Sequence, residues 1–174
     1  IEVLSLEGER SLFAEYNQLG RPANPTRSKW IDQANRHNKL TSRAIDASDQ
    51  KGHVEFVRNT ISINSPMVAT FNIIAKGAAA AFPDLDESNF EENREFLSKY
   101  LDYLVKVRPE TGYLPLAQRK AVREGSIGDS GLAFGAYLQL AGVLQGVTDW
   151  RGHLDKLAEQ YHYHDGGISW SGDL

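Results

Sequence analysis

The chain has 174 residues, a net charge of −4 and no cysteine. A chain of this length can bury about 70% of its unfolded surface, enough for one domain with its own core. The absence of thiols excludes disulfides, thiolate metal sites and cysteine nucleophiles, and it suits a reducing compartment, so we predict a cytoplasmic protein. No apolar run approaches the roughly 20 residues of a membrane span, so we predict no membrane partner.

The N-terminal end predicts a short strand and a chain that continues upstream. Residues Ile1–Leu6 roughly alternate apolar and polar side chains, which is the period of a strand. The chain starts with a bulky isoleucine and its only methionine is Met67. We therefore expect an interior or C-terminal piece of a longer protein.

Two helices are predicted next. Apolar residues recur at helical spacing from Leu12 to Leu19, and the stretch from Gly20 to Pro25 should end that helix. Thr26 or Ser28 can cap a second helix that continues to Ile45.

In the middle of the chain, the secondary structure of one segment is undecided and one helix is predicted. The segment His53–Val57 fits either a short strand or the start of a helix. Ser65 followed by Pro66 predicts a helix start, because serine accepts hydrogen bonds from first-turn amides and proline needs no partner there. That helix should run to about Ala81 and end before Pro83.

The strongest helical pattern follows. Ser88 and Glu91 match a capping box, and Pro109 should close the helix that they open. Its apolar positions recur at steps of three and four residues: Phe96, Leu97, Tyr100, Leu101, Leu104 and Val105.

Three more helices complete the prediction. One surrounds Leu116–Arg123, one is capped by Asp129 or Ser130 and runs to Leu144, and a short one holds residues 150–157. The tail Tyr161–Leu174 is predicted as an irregular packed loop. The fold class is therefore mainly α: a single helical domain over residues 1–174 with a short N-terminal strand.

Positive charge is concentrated in one part of the chain. Between residues 21 and 43 the only acid is Asp32, so the segment carries +5, whereas residues 84–95 carry −5. Such a segment favours contacts with the phosphates of nucleic acid. The alternative is a solvated helix face balanced by acids elsewhere. Four amide side chains add groups suited to base edges or phosphates: Asn17, Gln33, Asn35 and Asn38. The cations are Arg21, Arg27, Lys29, Arg36, Lys39 and Arg43.

The sequence gives little support for a metal site, a nucleotide-binding loop or a catalytic nucleophile. His162 and His164 with Asp165 contain groups that suit a divalent metal ion, but only a third ligand such as His153 would close a site, so we predict no metal. The glycines at 125, 128 and 131 lack the Gly-Lys-Ser/Thr of a phosphate loop, and no nucleophile elbow occurs. We predict helix entry and close packing at Gly131 and Gly135 and no cofactor, and we assign no catalytic residue.

Several stretches together resemble one protein family. Residues 11–17, Ser-Leu-Phe-Ala-Glu-Tyr-Asn, followed by Arg21-Pro22, resemble the Phe-x-x-x-Asn helix and proline turn that follow the Asp-Gly-Gln-His-Arg motif of DGQHR-domain proteins. The DndB family, encoded with DNA phosphorothioation genes, is the named example. Four further stretches resemble it in the same order: residues 53–62, 65–73, 116–139, and Trp150, Leu154 and Leu157 with Trp170-Ser171-Gly172. The Asp-Gly-Gln-His-Arg string itself does not occur here.

The resemblance implies a DNA-binding or regulatory component of a DNA modification or defence gene cluster, with DNA and other proteins of the cluster as partners. On that reading the six cations contact phosphates, and Asn17 holds the turn that presents them. Two alternatives remain. The intact protein could hydrolyse a nucleotide with a motif upstream of Ile1, assisted by Arg119 or Arg123. Otherwise the chain is a protein-interaction module that uses the acidic residues 84–95 or the aromatic tail.

Overall fold

The structure is a computed structural model that describes residues 5, 8–10, 12, 24–125, 131–164 and 167–170. Apart from residues 5 and 12, the predicted strand Ile1–Leu6 and the predicted first helix up to Leu19 lie outside these residues, as do the predicted caps Asp129 and Ser130.

Helices form most of the described chain, which confirms a mainly α fold. The helices are α1 (Pro25–Ile31), α2 (Arg36–Asp46), α3 (Phe71–Ala81), α4 (Phe90–Val107), α5 (Leu116–Gly125), α6 (Gly131–Leu144) and α7 (Trp150–Gln160), with a 3₁₀ turn at Pro109–Thr111. The strands are β1 (Val54–Glu55), β2 (Ala69–Thr70), β3 (Tyr161–His164) and β4 (Gly167–Trp170).

The predicted helix start at Ser65 is wrong. The helix expected at Ser65 begins at Phe71, where the Thr70 hydroxyl accepts from the Ile73 amide at 3.4 Å. The residues before it pair with a distant segment, because β1 and β2 form a parallel pair that joins Val54 to Ala69. Ser65 caps only a local turn, accepting from the Met67 amide at 3.2 Å.

The capping box before α4 is also absent. Asn89 occupies the cap position of α4 and makes no side-chain cap bond. Ser88 instead donates to the carboxylate of Asp86 at 2.6 Å. The helix itself, with its apolar spacing and its end before Pro109, is as predicted.

The tail was predicted as an irregular loop, and this is wrong for its described part. Strands β3 and β4 form an antiparallel hairpin in which Tyr161 pairs with Trp170 and His164 with Gly167. The connecting residues, Asp165 and Gly166, are of the type that favours two-residue hairpin turns. This pattern in the sequence could have predicted the hairpin.

The core has α3 at its centre. Its buried face, which includes Phe71, Ile74 and Ala78, packs against α1, α2 and, most extensively, α6. A second cluster around Tyr100, Leu104 and neighbouring residues joins α4 to α6 and α7. The short helix α1 and the first part of α2 therefore sit on the outside of a packed helical body.

Close contact between α3 and α6 predicts a large effect at Gly142. A Cβ at this position would overlap the backbone of Ala81, which cannot move without separating the two helices. We expect Gly142→Val to lower the free energy of unfolding by about 3 kcal/mol, as overpacking does. Thermal or urea unfolding measures the loss. The matched control is Gly135→Val on the same helix, where an added Cβ meets no atom within 4 Å among the described residues; similar losses in both variants would contradict the prediction.

Candidate nucleic-acid interface

The start of α1 is held by Asn24. Its side-chain oxygen accepts from the amides of Thr26 and Arg27 at 3.1 and 3.4 Å, and its Nδ2 donates to the carbonyl of Val57 at 2.6 Å. Thr26 and Ser28 were predicted as caps and are instead inside the helix, with Pro25 at its first position. Asn24 thus fixes the entry to the basic segment. Asn17, predicted for that task, lies outside the described residues.

A tight turn separates α1 from α2, where one continuous helix was predicted. The Asp32 carboxylate accepts from the Asn35 amide at 3.2 Å, and Asn35 caps α2 by accepting from the amides of His37 and Asn38. Asn38 is buried and donates to the Asp32 carbonyl, and Gln33 donates to the Trp30 carbonyl at 2.6 Å.

These bonds change the interpretation of three amide side chains. Gln33, Asn35 and Asn38 were considered as contacts for bases or phosphates. Each of them instead holds the turn or caps α2. Competition by Asn and Asp side chains for backbone groups is a common reason for a helix to break.

Helix α2 presents three cations on one side. Arg36, Lys39 and Arg43 are three and four residues apart, so they share a face, and Arg36 and Arg43 are exposed. The opposite side is buried through Asn38, Thr41 and Ile45. The span from Arg36 to Arg43 is about 10.5 Å along the helix axis.

The cationic face of α2 forms one wall of an open groove of about 970 Å³. His37 anchors this part of α2 to the body, since its Nε2 and the carbonyl oxygen of Phe82 lie 2.8 Å apart. The other wall comes from the segment before α4 and the start of that helix. Its lining residues are Leu85, Glu87, Phe90 and Glu91.

Acidic residues partly neutralise the groove. Arg43 lies 3.5 Å from the carboxylate of Glu91, and its guanidinium is 5.6 Å from the centre of the Phe90 ring. The hydrogen bond from Ser88 lowers the pKa of Asp86, and Arg36 adds a smaller effect in the same direction. The acidic stretch 84–95 is thus close to the cations of α2, and Arg43 reaches one of its carboxylates.

The cations of α1 lie outside this groove wall. Arg27 is exposed and Lys29 is partly buried. Burial lowers the pKa of Lys29, and the positive charge of Lys76 on α3 lowers it further. The groove therefore brings together three of the six predicted cations; Arg21 lies outside the described residues.

Arg119 and Arg123, suggested as helpers in nucleotide hydrolysis, hold loops together. Arg119 is fully buried, and its guanidinium donates to the carbonyls of Glu110 and Gly112. Arg123, one turn later on α5, donates to carbonyls of the loop before β2: Ser62, Ile63, Ser65 and Met67. These contacts give both side chains a structural role and leave the proposed assistance to hydrolysis without geometric support.

None of the described helices is long and apolar enough to cross a membrane.

The comparisons with known proteins identify the class of the chain. A family model for proteins associated with DNA-sulfur modification matches residues 3–174. The chain belongs to that family, DndB, which confirms the resemblance in the sequence. No curated protein and no solved structure matched it.

Proposed function

We propose that this chain binds DNA as a regulatory component of a DNA-sulfur modification system in the cytoplasm. Membership of the DndB family supports the system. The observation that supports DNA as the ligand is the cationic face of α2, where Arg36, Lys39 and Arg43 line one open groove.

The spacing of these cations suits a phosphate backbone. The three cations follow one another over about 10.5 Å of a single helix face, so each can reach a different phosphate of the same backbone. The positive end of the helix dipole lies beside Arg36 and adds to the attraction. Phosphates can therefore approach from the N-terminal end of α2, away from the Glu91 carboxylate that engages Arg43.

Lys29 on α1 was also predicted as a phosphate contact. Burial lowers its pKa, and the positive charge of Lys76 lowers it further, so a bound phosphate would favour the charged form of this amine.

Duplex binding measured against salt tests the proposal. Between three and six phosphate contacts predict a slope of about −2.7 to −5.4 when log K is plotted against log salt concentration. Fluorescence anisotropy with a labelled duplex at 50 to 300 mM salt gives this slope. Absence of binding at 50 mM salt, or binding with no salt dependence, would rule the proposal out. Capture of other proteins of the modification system without DNA would favour the interaction module instead.

A further inference from the structure

The two walls of the groove differ in chemistry. The α2 wall carries the cations Arg36, Lys39 and Arg43, whereas the opposite wall presents Leu85 and Phe90 together with carboxylates. A site for phosphate alone needs only the first wall, because apolar side chains form no hydrogen bonds with phosphate and carboxylates repel it. The second wall therefore suits a different part of the ligand.

The aromatic residue of the second wall suits the flat face of a nucleotide base. Phe90 is partly buried against the core and also lines the groove. The guanidinium of Arg43 lies 5.6 Å from the centre of this ring, and the Glu91 carboxylate at 3.5 Å helps to hold it there. Aromatic rings and guanidinium planes are the surfaces on which unpaired bases stack. Phe90 and Arg43 together therefore form a stacking surface inside the groove.

The carboxylates of the second wall suit the edge of a base. Among the lining residues the acids are Glu87 and Glu91, and both are exposed. Glu91 is engaged by Arg43 at 3.5 Å and by Arg94 at 2.7 Å. A carboxylate accepts hydrogen bonds from the exocyclic amino group of cytosine. This assigns the role of acceptor to Glu87 and gives the groove a reason to contain a negative charge.

We propose that the groove holds an unpaired nucleotide of DNA. Arg36 and Lys39 bind its flanking phosphates. The base stacks on Phe90 and Arg43, and the Glu87 carboxylate accepts from its amino group. The inference rests on the proposed function, because it takes DNA as the ligand and names the form of DNA that the groove accepts.

The size of the groove agrees with this occupant. Its volume of about 970 Å³ is at the upper end of the range for pockets that hold small ligands, so an extended nucleotide fits inside. In an intact duplex the bases are stacked on one another, and a base must leave the stack before a protein can cover its face. An intact duplex can therefore reach the cations of α2 but not the stacking surface.

A duplex with a short gap in one strand, compared with the intact duplex of the same sequence, tests the proposal. In fluorescence anisotropy at about 50 mM salt, the gapped DNA should bind about 5-fold or more tightly, the effect of stacking one base. Phe90→Leu keeps an apolar side chain against the core but removes the ring. This variant should lose the preference and keep its affinity for the intact duplex.

The matched control is Phe96→Leu on the same helix. Phe96 is also partly buried, but its ring packs on Trp150 with centroids 5.6 Å apart, and it does not line the groove. This variant should keep the preference for gapped DNA. Equal binding of the two DNAs by the wild-type chain, or an unchanged preference in Phe90→Leu, would overturn the inference and leave the proposed function standing. Absence of binding to both DNAs would overturn the proposed function itself.

Glu87→Met gives a second test at an exposed position, where a substitution does not disturb the core. The wild-type chain should bind a single-stranded dC tract about 5-fold more tightly than a dT tract, because thymine has an oxygen in place of the amino group. Glu87→Met should bind the dT tract more tightly than the wild type does, since a repelling charge is gone, and the ratio should fall. An unchanged ratio would overturn the role of Glu87. Displacement of gapped DNA by an equal concentration of free dCMP would overturn DNA as the occupant in favour of a free nucleotide.

Discussion

Replacing Arg36 and Lys39 together by glutamine is expected to reduce the salt slope of duplex binding by about 1.8, since each lost phosphate contact removes about 0.9. At 0.1 M salt this corresponds to roughly 60-fold weaker binding, if the affinity at 1 M salt is unchanged. Glutamine removes the positive charge and keeps a polar side chain, although it is shorter than arginine or lysine. Both residues lie on the wall of the groove between α2 and the start of α4. Anisotropy titrations of the wild-type chain and the double variant over the same salt range measure the difference.

A matched variant separates local contacts from net charge. Lys99 on α4 and Lys120 on α5 are exposed, and each is paired with a carboxylate four residues away in the helix. Replacing both by glutamine changes the total charge by the same amount as the test variant. We expect this control to keep most of the affinity and the slope. Equal losses in the two variants would assign binding to overall charge, and an unchanged test variant would remove α2 from the interface.

Local patterns in the sequence predicted the elements that depend on local interactions. The steps of three and four apolar residues in α4 reflect a face that packs on the body, and Leu97, Leu101 and Leu104 are fully buried. The Ser65-Pro66 pattern predicted a helix start that does not form, because strand pairing competes with it. This pairing joins Val54 to Ala69, which are 15 positions apart in the sequence. A local cap contributes about 1 kcal/mol, which strand pairing and burial of β2 can outweigh.

The candidate site was predictable in part for the same reason. The cations of α2 stand close together in sequence and share a face once a helix forms. Balance of these cations by acids elsewhere was one of the alternatives, but the particular pair of Arg43 and Glu91 joins residues 48 positions apart and depends on the packing of α2 on α4. Asn24 illustrates the opposite case. It precedes Pro25 directly, and an Asn cap followed by Pro at the first helical position is a helix-start signal that is local in the sequence.

The largest expected loss of stability is at Arg119. The 3₁₀ turn Pro109–Thr111 and the residue after it are held from inside the protein. Gln50 donates to the carbonyl of Thr111 at 2.6 Å, and Arg108 forms a buried ion pair of 2.6 Å with Glu110. Arg119 adds bonds to the carbonyls of Glu110 and Gly112. This turn connects α4 to the segment that leads into α5, so its loss would disturb both helices.

We expect Arg119→Met to lower the free energy of unfolding by about 3 to 5 kcal/mol, because it leaves buried carbonyls without donors and disturbs a buried charged network. Arg119→Lys keeps the charge but has no planar fork to reach two carbonyls, so we expect it to recover only part of the loss. Urea unfolding followed by circular dichroism measures both variants. Lys120→Gln, at the next position, removes only an exposed pair with a 3.8 Å separation and should change stability by less than about 0.5 kcal/mol. If Arg119→Met unfolds like the Lys120→Gln control, the buried guanidinium does not hold the turn. If both Arg119 variants are well folded and a nucleotide-hydrolysing activity of the full-length protein disappears, Arg119 acts in catalysis instead.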